Sequence, residues 1–221
     1  MPIPTGRLLG SGRSADVYAI DEAWVVRRDR EGWGDALAEG AVMEYVRGHG
    51  YPVPEVRLAD STRTELVMRR LTGPTMLQAL AAGTLTAEEA GRLLAGLLRA
   101  LHAIPGRRPG TRVLHLDLHP DNVILTAEGP RVIDWTNAED GDPGLDWGLS
   151  AVILAQVAVG GAALAAPARA ILAALLAGPS ALTGEGLTAA RARRAANPTM
   201  SADEVALLAE AETLIRSLTG A

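Results

Sequence analysis

The chain has 221 residues, 48% of them hydrophobic and 21% charged, with a formal net charge of −5. This length can bury a sizeable core in one or two domains, and the composition excludes a disordered chain. The negative balance argues against nucleic acid as a main partner, because a phosphate backbone calls for a basic face, and the absence of cysteine excludes disulfides and thiolate metal sites and suits a reducing cytoplasm.

All 21 basic residues are arginine, so any role usually given to lysine must fall to arginine. Aromatic residues make up 3% with no phenylalanine, so the core must be built from Leu, Val, Ile and Ala. The N-terminal run MPIPTGRLLG lacks the apolar stretch of a secretory leader. Leu149 to Ala168 carries no charge and meets the length of a membrane span. Its Gly160, Gly161 and Pro167, and its alanine-rich character, read better as a buried helix pair, so no membrane association is expected.

In chain order, three short runs come first: Arg7 to Gly12, Ala15 to Ile20 and Trp24 to Arg28. Gly, Ser and Asp-Glu punctuation separates them, which predicts an antiparallel meander. Asp35 to His49 has Leu37, Ala41, Val42, Tyr45 and Val46 at helical spacing. Gly48 and Gly50 end that helix, and Pro52 and Pro54 force an extended exit. Val56 to Ala59 and Thr64 to Arg69 are two further strand candidates. After Leu71-Thr72-Gly73-Pro74, helices are predicted over Thr75 to Ala82 and Thr86 to His102. The second opens on a capping box, Thr86 with Glu89, and carries a Leu stripe. A loop rich in Gly, Pro and Arg follows. Then Val123 to Thr126 and Arg131 to Ile133 flank a turn at Ala127-Glu128-Gly129-Pro130. From about Leu145 the chain reads as helical, with an exposed loop near Gly178 to Gly186 and a last helix over Ser201 to Leu218. The expected class is α+β: a small antiparallel β-sheet lobe with one helix over residues 1–70, and a mainly helical lobe over 71–221. A cleft between two such lobes is a common place for a ligand.

The chemistry concentrates in Val113 to Ser150, VLHLDLHPDNVILTAEGPRVIDWTNAEDGDPGLDWGLS. His115, Asp117 and Asn122 form H-x-D-x-x-x-x-N, and I-D-W with Asp134 follows about a dozen residues later. Phosphoryl transfer needs such a set. A triphosphate is held through a hard cation with oxygen ligands, which Asn and Asp supply. The attacking hydroxyl needs a carboxylate to orient it and accept its proton.

HLDLHPDNVIL followed by VIDWTNAEDGDPGLD resembles the aminoglycoside phosphotransferase and choline kinase-like family, a branch of the protein-kinase-like fold. The resemblance runs from about Gly6 to at least Ser150. It implies Asp117 as catalytic base, Asn122 and Asp134 as magnesium ligands, and His115 as a structural member of the loop. It implies Mg2+ and ATP, with GTP equally compatible, and a small-molecule hydroxyl as acceptor. His119 stands beside the base as a substrate contact or a loop support. The family usually has glycine at the position of Leu116, and often at that of Asp121. Leu116 therefore calls for an altered backbone, and Asp121 adds charge beside the metal ligands.

The run LLGSGRSADVYAI is similar to a kinase glycine-rich loop, with Gly10, Gly12 and Ser14 as phosphate-loop positions. WVVRRDR resembles the strand that carries the phosphate-binding lysine. Arg27 takes that place, Arg28 alternates to the other face, and Glu39 is its acidic partner, with Glu44 as second choice. ELVMRRLTGPT resembles the last strand and connector, which sets Met68 near the base and the backbone of Arg69 to Leu71 as its hydrogen-bonding edge. Gly141-Asp142-Pro143 and Asp146 match the family's GDPxxD element, with Asp146 tying its helix to the catalytic loop. Glu139, Asp140 and Asp142 would favour a cationic, amine-bearing substrate if they face it, or else form a solvated turn with Asp142 as a helix cap. Three readings follow: a small-molecule kinase, a catalytically weak nucleotide-binding regulatory module of the same fold, and a protein kinase. I-D-W in place of D-F-G, and the lack of an A-P-E segment, count against the last.

Overall fold

A computed structural model describes residues 3, 5–12, 15–30, 32, 34–161, 163–198 and 200–220. The chain divides into two compact units, Met1–Gly73 with Ile124–Ala138, and Pro74–Val123 with Glu139–Ala221. The sequence suggested one cut near residue 70. The contacts instead put the 124–138 segment with the first unit.

The first unit is built on an antiparallel sheet in the order β1 (Leu8–Ser11), β2 (Ala15–Ala19), β3 (Trp24–Asp29) and β4 (Glu65–Arg69). Alternation along β3 sends Trp24 and Val26 to one face, where they join Val67 of β4 under Ile3, Tyr18, Ile20 and Ala23. Helix α1 (Ala36–Gly48) starts where the Asp35 carboxylate accepts the Ala38 N–H at 3.0 Å. Gly40 lets it approach the sheet, since a β-carbon there would stand 2.9 Å from Leu66 and 2.4 Å from Leu58.

Two sequence expectations fail in this unit. The buried face of α1 is Ala36, Glu39, Gly40, Val42, Met43 and Val46, while Leu37 is 40% exposed and Ala41 is exposed. Of the five apolar positions at helical spacing, Val42 and Val46 lie on this face, and periodicity misses the buried carboxylate of Glu39 beside them. Val56 to Ala59 is not a strand. Val56 makes a single bridge to Met68, and Leu58–Asp60 then turns as a 3-10 segment. β6 (Val123–Thr126) and β7 (Gly129–Val132) form the predicted hairpin, and the Val132 N–H donates to the Pro52 carbonyl at 2.8 Å.

The second unit opens with α2 (Met76–Ala81) and α3 (Ala87–His102), each begun by a full capping box, Thr75 with Gln78 and Thr86 with Glu89. Two short strands absent from the sequence reading, β5 (Arg112–Leu114) and β8 (Glu139–Gly141), pair antiparallel. Helix α4 (Pro143–Val159) is buried along most of its length, and α5 (Ala165–Leu176), α6 (Gly184–Ala195), α7 (Ala202–Ala206) and α8 (Leu208–Thr219) complete the unit. α4 and α6 cross with backbones nearly touching: a β-carbon on Gly186 would lie 2.5 Å from the Gly144 carbonyl carbon. The single predicted last helix is divided at Leu207. The Glu204 carbonyl there accepts from Gln156 Nε2 of α4 at 2.9 Å, a competing partner at the break. The uncharged stretch from Leu149 ends its helix at Val159, and among the described residues no helix is long and apolar enough to cross a membrane.

Candidate active site

In the second unit, β5 delivers the chain to His115, and a loop carries it to a 3-10 turn at Pro120–Asn122. Asp146, in the first turn of α4, is fully buried and holds this loop. Its Oδ1 accepts the Leu116 N–H at 2.7 Å, and its Oδ2 accepts the His115 N–H and His102 Nε2, each at 2.9 Å. Burial works to raise the Asp146 pKa. The hydrogen bond and charge of His102, with the His115 N–H, outweigh it and hold the carboxyl below its usual range. Leu116 takes φ 65°, the left-handed region that glycine enters freely, so the leucine occupies a glycine-type backbone rather than the altered one the sequence called for.

Past Leu116, the Asp117 N–H donates to His115 Nδ1 at 3.2 Å. The Asn122 amide donates to the Asp117 carbonyl at 2.9 Å and lies 3.4 Å from Asp117 Oδ2. This leaves Asn122 Oδ1 with no hydrogen-bond donor among the described residues. His119 Nδ1 accepts the Asp121 N–H at 3.3 Å, and its Nε2 lies 3.3 Å from the Asn122 amide nitrogen and 3.8 Å from Asp117 Oδ1. These contacts tie His119 into the loop, and the side chain of Asp121 is exposed.

In the first unit, Arg27 on β3 pairs through Nη2 with Glu39 on α1, as the resemblance implied. Arg28 points the other way and pairs with Glu65 at 2.6 Å. Glu39 is 6% exposed, and its Oε1 accepts the Trp135 N–H at 3.3 Å. Burial raises the Glu39 pKa; Arg27 pulls it down, the nearby Asp134 charge adds to the rise, and the net direction is upward. Asp134 has φ 63° and an exposed side chain whose Oδ1 accepts from the Thr136 hydroxyl at 2.9 Å. Leu116 and Asp134 are the only non-glycine residues with positive φ among the described residues. Arg27 Nε is buried without a partner, a donor that the ion pair leaves unused.

The other predicted positions divide. Gly10 lies in β1, and the Gly12 N–H donates to the Ala15 carbonyl at 2.8 Å, closing the hairpin; Ser14 lies outside the described residues. Met68 pairs across the sheet with Val25 and is partly buried. The Arg69 and Arg70 N–H groups are taken by the Glu55 and Ala23 carbonyls at 2.7 and 2.8 Å, so of this connector only Leu71 keeps an N–H with no acceptor among the described residues. The acidic run is not a free cluster. Glu139 pairs with Arg193 at 2.8 Å, Asp140 is buried and held by Arg107 at 3.2 Å, and Asp142 Oδ1 caps α4 through the Gly144 N–H at 2.8 Å. Glu44 is exposed.

Sequence reasoning missed His102 and Thr136. His102 follows Leu98 by four residues on the Leu stripe of α3, and a polar residue on an apolar stripe signals a buried polar pair. Thr136 carries no comparable signal.

The phosphotransferase enzyme family matches the chain over residues 5–112 and 106–187. A CBL-interacting protein kinase 16 from Oryza sativa subsp. japonica is 34% identical over 125 residues, 56% of this chain and 26% of that protein. A thiamine kinase from Salmonella paratyphi B is 54% identical over 33 residues, 15% of this chain and 12% of that protein. The chain therefore spans about a quarter or less of the length of these curated relatives. Among solved structures, amicoumacin kinase hAmiN with AMP-PNP, Ca2+ and Ami has a TM-score of 0.60 at 14% identity, covering 96% of this chain and 88% of that one. The streptomycin–ATP–APH(2")-IIa ternary complex has a TM-score of 0.55 at 15% identity, covering 96% and 92%. Aminoglycoside phosphotransferase APH(4)-Ia has a TM-score of 0.57 at 14% identity, covering 97% and 92%. At this identity these likenesses establish the fold.

Proposed function

The chain belongs to the phosphotransferase enzyme family, and we propose that it is a small-molecule kinase that moves the γ-phosphoryl of ATP or GTP to a substrate hydroxyl. The observation that carries this reading is the pairing of Asp117 with Asn122. The Asn122 amide nitrogen is engaged by Asp117 and His119, which leaves Asn122 Oδ1 for a cation and keeps the Asp117 carboxylate beside it, a quarter exposed.

Asp117 is the base: its carboxylate orients the acceptor hydroxyl and takes its proton as the phosphorus–oxygen bond forms. Asn122 and Asp134 are the magnesium ligands. Among the described residues no three His, Cys, Asp or Glu side chains gather around a metal position. That donor set suits Mg2+, which is commonly bound by one or two carboxylates, water and substrate phosphates rather than by an all-protein cage. Bound Mg2+ supplies charge neutralisation at the transferring phosphoryl group. Arg27 offers a fixed positive charge to the phosphates, with Glu39 holding its guanidinium. Gly10 and Gly12 are the phosphate-loop positions of this reading, with Ser14 assigned to it by sequence alone. Met68 lies near the base, and the Leu71 N–H is the available donor to it, because those of Arg69 and Arg70 are already engaged. The pairing of Glu139 and Asp140 with arginines leaves one Asp142 oxygen and His119 as the candidate substrate contacts.

The test is a coupled ADP-release screen over amine- and hydroxyl-bearing small molecules with Mg·ATP and Mg·GTP. The panel begins with thiamine and streptomycin, named in the relative and the neighbouring complex. Asp117→Ala should lower turnover on the responding acceptor at least a thousandfold while Mg·ADP still binds. Wild-type turnover in that variant would sink the base assignment, and nucleotide binding without transfer to any acceptor would favour a regulatory module.

A further inference from the structure

Asp134 is exposed and sits in a left-handed backbone. Neither feature points a carboxylate in one direction. Its carboxylate has one hydrogen-bond partner among the described residues, the Thr136 hydroxyl at 2.9 Å from Oδ1. The same hydroxyl lies 3.3 Å from Glu39 Oε2. We propose that Thr136 is a positioning residue: its hydroxyl aims the Asp134 carboxylate for a divalent cation and links that carboxylate to the Arg27–Glu39 pair. This rests on the kinase reading above, in which Asp134 is a magnesium ligand.

A hydroxyl has one proton to donate, and two carboxylates stand within reach of it. The shorter distance gives it to Asp134. Glu39 does not depend on it, because Arg27 and the Trp135 N–H already serve its two oxygens. With Oδ1 held, Oδ2 is the oxygen without a hydrogen-bond partner among the described residues. Threonine suits the task better than serine, since its branched β-carbon restricts χ1 and so fixes the hydroxyl. Outer hydrogen bonds that orient a ligating side chain are commonly worth 10–100-fold in metal affinity. The arrangement also connects Asp134 to α1: when a cation draws on the aspartate, the hydroxyl proton has a second acceptor 0.4 Å farther away (3.3 against 2.9 Å) on the residue that holds Arg27.

The test is calorimetric titration of ADP with and without Mg2+, into wild type and into Thr136→Val, Thr136→Ala and Thr136→Ser. Valine keeps the shape and removes the proton. Alanine guards against a fold defect in the valine variant, with thermal unfolding as the check on both. The expected result is that Val and Ala weaken Mg·ADP binding about tenfold, leave metal-free ADP binding within about twofold, and that Ser restores most of the loss. Equal loss with and without Mg2+ would make Thr136 a mere turn support and overturn the proposal, as would Mg·ADP binding in Thr136→Val equal to wild type. A wild-type protein that binds ADP without Mg2+ but gains nothing from it would remove Asp134 as a ligand, and the proposal with it. If wild type binds neither form, the kinase reading itself falls, a failure that none of the Thr136 variants alone could produce.

Discussion

Leu116 is where local strain and core packing oppose each other, and their balance can be measured. The residue has φ 65° and is 4% exposed. An L-residue in this region costs about 1–2 kcal/mol, which glycine escapes. Leu116→Ala removes buried methyls at a cost of about 2–5 kcal/mol and keeps the backbone penalty. Leu116→Gly loses a further buried carbon, about 0.8 kcal/mol, and frees the unfolded chain by about 0.4–1 kcal/mol. At an ordinary buried position, glycine should therefore fall below alanine by about 1.2–1.8 kcal/mol on these two counts. At Leu116, relief of the left-handed penalty offsets that gap, and the two variants should lie within about 1 kcal/mol of each other. Leu118, also fully buried and without positive φ, is the internal control. Thermal unfolding of the four variants reads the difference between the two Gly–Ala gaps as about 2–8 °C for a chain of this size. Equal gaps at 116 and 118 would refute the claim that the fold imposes strain on the residue before the proposed base.

Two further outcomes concern the buried acids. Folding lowers the Asp146 pKa, so its contribution to stability is present above the ordinary aspartate range and lost as pH falls through its folded value. Asp146→Asn should cost about 3 kcal/mol or more, because it turns an N–H toward groups that already donate. Thermal unfolding from pH 7 to pH 3 should show the gap to wild type closing as pH falls, and a constant gap would contradict the charged state assigned to Asp146. Folding raises the Glu39 pKa, so above the ordinary glutamate range the unfolded chain is ionised while the folded protein still favours the proton. The stability of wild type relative to Glu39→Gln should therefore decline as pH rises through that window; a rise would mean that Arg27 outweighs burial.

What could be read from the sequence follows the range of the interactions involved. Capping boxes and turn residues act within a few positions, so the starts of α1, α3 and α7 were legible in Asp35, Thr86 and Ser201. The Asp117–Asn122 spacing was legible because both side chains serve one short loop. Arg27 and Glu39 came from resemblance and are paired. Contacts that close over long separations left no local trace. β5 and β8 are three residues each, pair across 25 positions or more, and carry Arg, Glu and Asp in place of an alternating apolar pattern. The acidic turn read as a free cluster or a solvated one because its arginines, Arg107 and Arg193, lie 33 and 54 residues away. In helix α1 the apolar spacing found Val42 and Val46 on the buried face but not Glu39, because a buried carboxylate counts as polar in any periodicity argument.

That buried carboxylate and its counterpart in the other unit explain a shared feature of the two motif segments. Leu116 and Asp134 both occupy a conformation that L-residues avoid, each at a cost of about 1–3 kcal/mol. In both cases a buried acid grips the backbone at that point: Asp146 takes the N–H groups of His115 and Leu116, and Glu39 takes the N–H of Trp135. Each bond to a charged acceptor is worth about 1.5–3 kcal/mol, enough to hold one left-handed residue in place. The acids differ in what else they face. Asp146 sees only donors and stays ionised, whereas Glu39 is pushed the other way by burial, to which the charge of Asp134 adds. In the proposed kinase a cation at Asp134 would remove that added charge, so Glu39 should hold Arg27 and the Trp135 backbone more firmly with metal bound than without. The strain at Asp134 would then be best supported in the metal-bound state of the proposed kinase.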